Sequence, residues 1–138
     1  MNIDEKVKAL VDSFENVPYH KFIGLKFASA REGYAELLLP VKKEIVNSNG
    51  VVHGGMYYTL CDLAASTALE ATLAEGHFYV THDINVSILK SANTGVLTAK
   101  AEVLKSGKRM AFVESRVYND RDELLAVGRL TKTLLARK

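Results

Sequence analysis

The stretch Gly54-Gly55-Met56-Tyr57-Tyr58-Thr59-Leu60-Cys61-Asp62-Leu63-Ala64-Ala65-Ser66-Thr67-Ala68-Leu69-Glu70-Ala71-Thr72-Leu73-Ala74 decides the fold. It reads as one long helix over residues 54–74. Its polar positions are few: Tyr58, Thr59, Asp62, Ser66, Thr67, Glu70 and Thr72. A surface helix shows a wider polar face than this. Something must therefore cover most of its circumference, and the rest of the chain supplies strands to do so.

Upstream, Val7, Leu10, Val11 and Phe14 recur at helical spacing, which predicts a short amphipathic helix over residues 3–15. Pro18 ends that pattern. Residues 24–31 and Tyr34–Pro40 read as two strands joined at Glu32-Gly33, and residues 41–52 as a loop around Asn47-Ser48-Asn49-Gly50. Downstream of Gly76 the spacing changes to strands over residues 77–90, 95–105, 108–119 and 123–135. Turns are expected at Ser106-Gly107 and at 120–122. Phe112, Glu114, Arg116 and Tyr118 alternate with Ala111, Val113, Ser115 and Val117, the period of a sheet with two unlike faces. The order is helix, two strands, long helix, four strands. It predicts an α+β fold with a mostly antiparallel sheet, in a single domain spanning residues 1–138. Repeats, low-complexity tracts and linkers are absent from the sequence.

The bulk properties narrow the function. A chain of 138 residues with 48% hydrophobic and 25% charged residues builds one modest core, so a wide apolar face becomes a candidate for burial between subunits. A formal net charge of +2 is too weak for a nucleic-acid arm and compatible with an anionic small ligand. The lone Cys61 excludes an internal disulfide and a cysteine-built metal site, and fits a reducing, cytoplasmic setting. Asp4 and Glu5, with no long apolar run, argue against a secretory signal. Asp62 and Glu70, within residues 54–74, and the strand patterns that follow argue against a membrane span.

Three features could carry chemistry. His53-Gly54-Gly55 stands where a loop becomes a helix. Glycine there lets backbone approach a ligand closely, and the first helical N–H groups lack internal partners. With the helix dipole, the spot suits the oxyanion that forms when a carbonyl is attacked; the alternative is a tight turn that merely needs small residues. Asp62 is a carboxylate among apolar neighbours. It is either buried, with the energetic cost typical of a functional site, or part of a solvent-facing stripe with Thr59, Ser66 and Glu70. Asn47 either offers its amide to a carbonyl or water, or simply belongs to a turn-forming cluster.

The run Asn47-Ser48-Asn49-Gly50-Val51-Val52-His53-Gly54-Gly55, followed by Thr59-Leu60-Cys61-Asp62, resembles the signature of hotdog-fold thioesterases. The nearer match is to the phenylacetic-acid-degradation (PaaI) type and the thioesterase superfamily member 2-like proteins. An Asn lies six residues before the His and an acid nine after it. Thr81-His82-Asp83-Ile84-Asn85-Val86-Ser87 is similar to the family's D-x-N strand, and Lys105-Ser106-Gly107-Lys108 to its hairpin. The resemblance covers roughly residues 20–135. It implies a hotdog fold, a sheet wrapped around a long central helix, and hydrolysis of an acyl-coenzyme A. By the same resemblance Asp62 is nucleophile or general base, the Gly54 N–H polarises the thioester carbonyl and Asn47 helps to orient it. Substrate contacts are expected from His53, Gly55, Tyr58, Ser66 and Thr81. Tyr57 and Tyr58 either line an acyl pocket or belong to the core.

Gly54 and Asp62 are eight residues apart, about 12 Å along a helix axis. One carbonyl must lie within about 3 Å of its oxyanion donors and close to the attacking group, so one Asp side chain cannot close that gap. Two helices packed antiparallel across a two-fold axis can. This predicts a homodimer with shared sites, and the resemblance extends it to a tetramer of dimers. Lys90, Lys105, Lys108 and Arg109, with Gly107 in the turn, are candidates for the coenzyme's phosphates; surface cations at turns also occur for solvation alone.

Other chemistries fit poorly. His77 and His82, five apart on a predicted strand, should face opposite ways, so no metal is expected. The sequence has no Gly-x-Ser-x-Gly elbow, Gly-x-Gly-x-x-Gly turn or Walker loop. Cys61 lies on another helix face than Asp62, with no basic neighbour to activate it. The expectation is a thioesterase needing no cofactor. Its rivals are an acyl-CoA hydratase or dehydratase on the same fold and a non-catalytic acyl-CoA-binding module.

Overall fold

The computed structural model describes residues 2–138. Helix α1 covers Ile3–Phe14 and opens on a reciprocal cap: the Glu5 N–H donates to the Asn2 side chain, and the Asn2 N–H donates to the Glu5 carboxylate. Pro18 both closes the preceding pattern and opens a second helix, α2, Pro18–Ile23, which the sequence reading missed. Proline is at home at a first helical position because its missing N–H has no partner there in any case. Gly24 ends α2 in the left-handed conformation, at φ 78°, so the expected strand from residue 24 starts later.

Six strands follow: β1 Lys26–Arg31, β2 Tyr34–Pro40, β3 His77–Ile88, β4 Val96–Ser106, β5 Met110–Tyr118 and β6 Leu124–Ala136. They form one antiparallel sheet in the order β1-β2-β4-β5-β6-β3. Between β2 and β3 lies the central helix α3, Gly54–Glu70. It stops four residues before the expected Ala74. Beyond it the Thr72 hydroxyl donates to the Ala68 carbonyl and accepts from the Gly33 N–H, tying the β1–β2 turn to the helix end.

The sheet wraps α3 as its scarcity of polar residues requires, and the helix touches all six strands. Tyr57, Leu60, Cys61, Ala64, Ala65, Ala68 and Leu69 are buried against Leu37, Leu39, Leu97, Val113, Val117, Leu125 and Leu130. The β5 alternation holds: Ala111, Val113, Ser115 and Val117 are buried, while Phe112 and Arg116 are exposed. Gly128 of β6 lets α3 come close, since a Cβ there would lie 3.0 Å from both Cβ and Sγ of Cys61.

The two sheet edges differ. β1 is short, bulged and backed by α1. β3 is twelve residues long, pairs only with β6 and has no fully buried residue. A bulge between Thr81 and Asp83 inserts His82 as an extra residue. The parity argument that separated His77 from His82 therefore does not apply across it. No cluster of three His, Cys, Asp or Glu side chains able to hold a metal forms among the described residues. Among them, too, no helix is long and apolar enough to cross a membrane.

Candidate active site

The sheet brings Asp62, Ser66 and Thr81 together around a residue the sequence reading missed, Lys132. Asp62 and Ser66 lie about one turn apart on α3, so they share a face. Thr81 and Lys132 are register partners on β3 and β6. The Lys132 ammonium donates to Asp62 Oδ1 at 2.5 Å, to Thr81 Oγ1 at 2.7 Å and to Ser66 Oγ at 3.0 Å. The Thr81 hydroxyl donates to the same Asp62 Oδ1 at 2.9 Å. Asp62 Oδ2 has no partner among the described residues. The Lys132 side chain is fully buried, whereas that of Asp62 keeps 29% of its surface exposed.

This settles the alternatives left open for Asp62. It does not sit on a plain solvent stripe; it is a half-buried carboxylate held by one oxygen. Next to it, the Tyr79 hydroxyl donates to Glu70 at 2.6 Å, and the Tyr79 ring centroid lies 5.5 Å from the Lys132 ammonium. Burial, together with Glu70, holds the Tyr79 phenol well above its usual range. Burial also pulls the Lys132 ammonium below the usual lysine value, against the opposing pull of Asp62. A sequence signal for Lys132 existed. In β6 the inward positions run Gly128, Leu130, Lys132, Leu134, so the lysine occupies the apolar phase of a strand facing the helix.

The start of α3 forms a second cluster. His53 is its N-cap, and its Nδ1 accepts from the Gly55 N–H at 2.9 Å. The Met56 N–H donates to the His53 carbonyl. The Gly54 N–H is left without a partner among the described residues, a free donor at the positive end of the helix dipole. Asn47 shapes the approach: its Oδ1 accepts from the N–H groups of Asn49 and Val51, so that oxygen serves the loop. Tyr58 is exposed, its hydroxyl 3.5 Å from the Val86 carbonyl. Tyr57, by contrast, is core, 1% exposed.

The two clusters sit at different places along β3. Asp62 meets Thr81, whereas a Cβ on Gly54 would lie 3.5 Å from Ile88 Cδ1. Gly54 and Asp62 are about 12 Å apart along the α3 axis, so one protomer does not bring its own carboxylate to its own free N–H. The expected phosphate-binding cations are likewise split. Lys90 follows β3 at the Gly54 end and is paired with Glu123. Lys105, Gly107, Lys108 and Arg109 form the β4–β5 hairpin beside the other end of α3, where Ala111 and Leu134 pack on Leu69. A cavity of about 230 Å³ lies beneath α1 and α2, lined by Leu10, Phe14, Leu63, Ser66, Glu70 and Tyr79 among others. Cys61, buried in the core with its thiol pushed up to about 12 by burial, takes no part.

Comparison with known proteins places the chain's family and fold. Residues 49–126 match the Thioesterase superfamily. A 1,4-dihydroxy-2-naphthoyl-CoA hydrolase of Listeria monocytogenes is 28% identical, over 79% of this chain and 89% of its own. A thioesterase of Haemophilus influenzae superposes with a TM-score of 0.87 at 25% identity, covering 94% of this chain and 90% of that one. The E. coli PaaI protein of the phenylacetic acid degradation operon superposes with a TM-score of 0.89 over 99% of both chains; at 23% identity it speaks for the fold alone.

Proposed function

The chain belongs to the thioesterase superfamily, and from that premise we propose that Asp62 and the Gly54 N–H act together on the carbonyl of an acyl-coenzyme A thioester. The protein is a hotdog-fold thioester hydrolase. The observation that carries the finer reading is the state of the two groups. Among the described residues, Asp62 is anchored through one carboxylate oxygen with the other free, and the Gly54 N–H is unpaired at a helix start.

In the reaction, an oxygen nucleophile adds to the thioester carbon, and the carbonyl oxygen becomes an oxyanion held by the Gly54 N–H. If water attacks, its proton passes to Asp62 and returns to the departing thiolate. If Asp62 attacks, the C–S bond breaks to leave an acyl anhydride that water then cleaves. Either route yields the free acid and the coenzyme A thiol.

The long unpaired β3 edge supports a dimer that unites the two clusters. If two β3 strands pair antiparallel about a two-fold axis midway between residues 84 and 85, Thr81 of each protomer lies opposite Ile88 of the other. The Asp62 cluster then faces the other protomer's Gly54. Such an edge, with Val80 and Ile88 exposed, is otherwise a template for aggregation. The acyl group enters the cavity beside Ser66, and the hairpin cations Lys105, Lys108 and Arg109 take the phosphates. Two such dimers forming a tetramer extend the reading.

The test is thiol release from a panel of aryl-, short-, medium- and long-chain acyl-CoAs, with product analysis. Free acid and thiol are expected; a shifted double bond or added water in the acyl chain would mean a hydratase, and binding without turnover a regulatory module. Asp62→Asn should lower turnover more than roughly a hundredfold.

A further inference from the structure

We propose that Lys132 is a positioning residue of the hydrolytic site, a buried ammonium that holds the Asp62 carboxylate turned so that Oδ2 faces the thioester. The proposal rests on the reading of Asp62 as the attacking or water-activating group.

A lysine side chain with no exposed surface is rare unless it is paired. Here all three of its N–H bonds are spent, on Asp62 Oδ1, Thr81 Oγ1 and Ser66 Oγ. Three acceptors around one nitrogen, one of them anionic, match an ammonium; a neutral amine would aim a lone pair at an oxygen. Burial alone favours the neutral form, and Asp62 and then Glu70 oppose it. The groups facing this centre are Asp62 and Glu70 from α3, Tyr79 from β3 and, across the adjoining cavities, His20 from α2 and Lys6 from α1. Lys6 is already bound to the Leu73 carbonyl, and no other cation donates to Asp62.

The consequence for chemistry is that Oδ1 receives both the ammonium and the Thr81 hydroxyl, so rotation of the carboxylate is blocked and Oδ2 is the oxygen presented to substrate or water. Lys132 touches neither substrate nor the reacting carbon; it acts through Asp62.

The experiment compares kcat and KM for thiol release in Lys132→Met, Lys132→Arg and Asp62→Asn, with melting curves for each. Lys132→Met should lower kcat roughly a hundredfold while KM changes little, since only alignment of the attacking group is lost. Lys132→Arg should restore only part of kcat, because a planar fork does not reproduce the ammonium's three contacts. A merely structural lysine would lower melting temperature without splitting kcat from KM. Should Lys132→Met fail to fold, NMR of the lysine-labelled wild-type protein decides. One slowly exchanging ammonium, shifted in Asp62→Asn, is expected; its absence overturns the proposal. A folded Lys132→Met with wild-type kcat, beside an inactive Asp62→Asn, overturns the role of Lys132 alone. A fully active Asp62→Asn overturns the reading of the site and this proposal with it.

Discussion

Asp62, the proposed attacking or water-activating group, also anchors a buried lysine, and this constrains how it can be tested. Removing its charge strands Lys132, whose side chain is fully buried. Breaking a buried ion pair costs about 3–5 kcal/mol, but this carboxyl is partly exposed and an Asn oxygen still accepts from Lys132. Asp62→Asn should therefore lose about 1–3 kcal/mol and stay folded, whereas Asp62→Ala removes the acceptor altogether. Tyr57 presents the opposite case. Its hydroxyl is buried without a hydrogen-bond partner; the Ala92 backbone acts on it from outside bonding geometry. Tyr57→Phe should leave stability unchanged or raise it by about 1 kcal/mol, measured by chemical denaturation. A loss larger than that would mean the hydroxyl is satisfied in solution. Asp62 was legible as a candidate because a carboxylate among Leu, Cys and Ala is unusual. Lys132 is hidden in the sequence, because a lysine near the chain end resembles ordinary surface until the strand's phase is followed from Ala126 to Leu134.

The elements divide the work of the site. α3 supplies both the carboxylate and the free N–H, and its position depends on the sheet closing around it at Gly128. The Gly54 N–H can be deleted without a side chain being changed. Gly54 is the first residue of α3, where proline is tolerated, and His53 has ψ 135°, the extended conformation that precedes proline readily. Gly54→Pro should lower kcat by about 10²–10³-fold, the usual cost of one oxyanion donor, with stability held within about 1 kcal/mol. Steady-state kinetics beside a melting curve checks both. A variant with normal kcat would place the oxyanion elsewhere. The helix itself was legible because seventeen residues with so few polar positions admit little else, and β5 because its alternation is regular. α2 escaped notice because Pro18 was taken only as a terminator. The His82 bulge left no sign either, since no glycine marks the place where it shifts the register with β6 by one residue.

At the scale of the whole molecule, the account requires a second copy. Within one chain the carboxylate and the donor face opposite stretches of β3, the sheet's long open edge. The sequence hinted at this through the separation of Gly54 and Asp62; where the two-fold axis falls depends on side-chain contacts at Thr81 and Ile88 that spacing does not reveal. The most direct measurement mixes two inactive proteins, Asp62→Asn and Gly54→Pro, after dissociation and reassociation, and follows thiol release from the best acyl-CoA. Each heterodimer then keeps one site with an intact Asp62 and an intact Gly54 N–H, so activity should rise well above that of either parent. Mixed dimers, verified by mass, that remain as inactive as their parents would contradict a site shared between subunits.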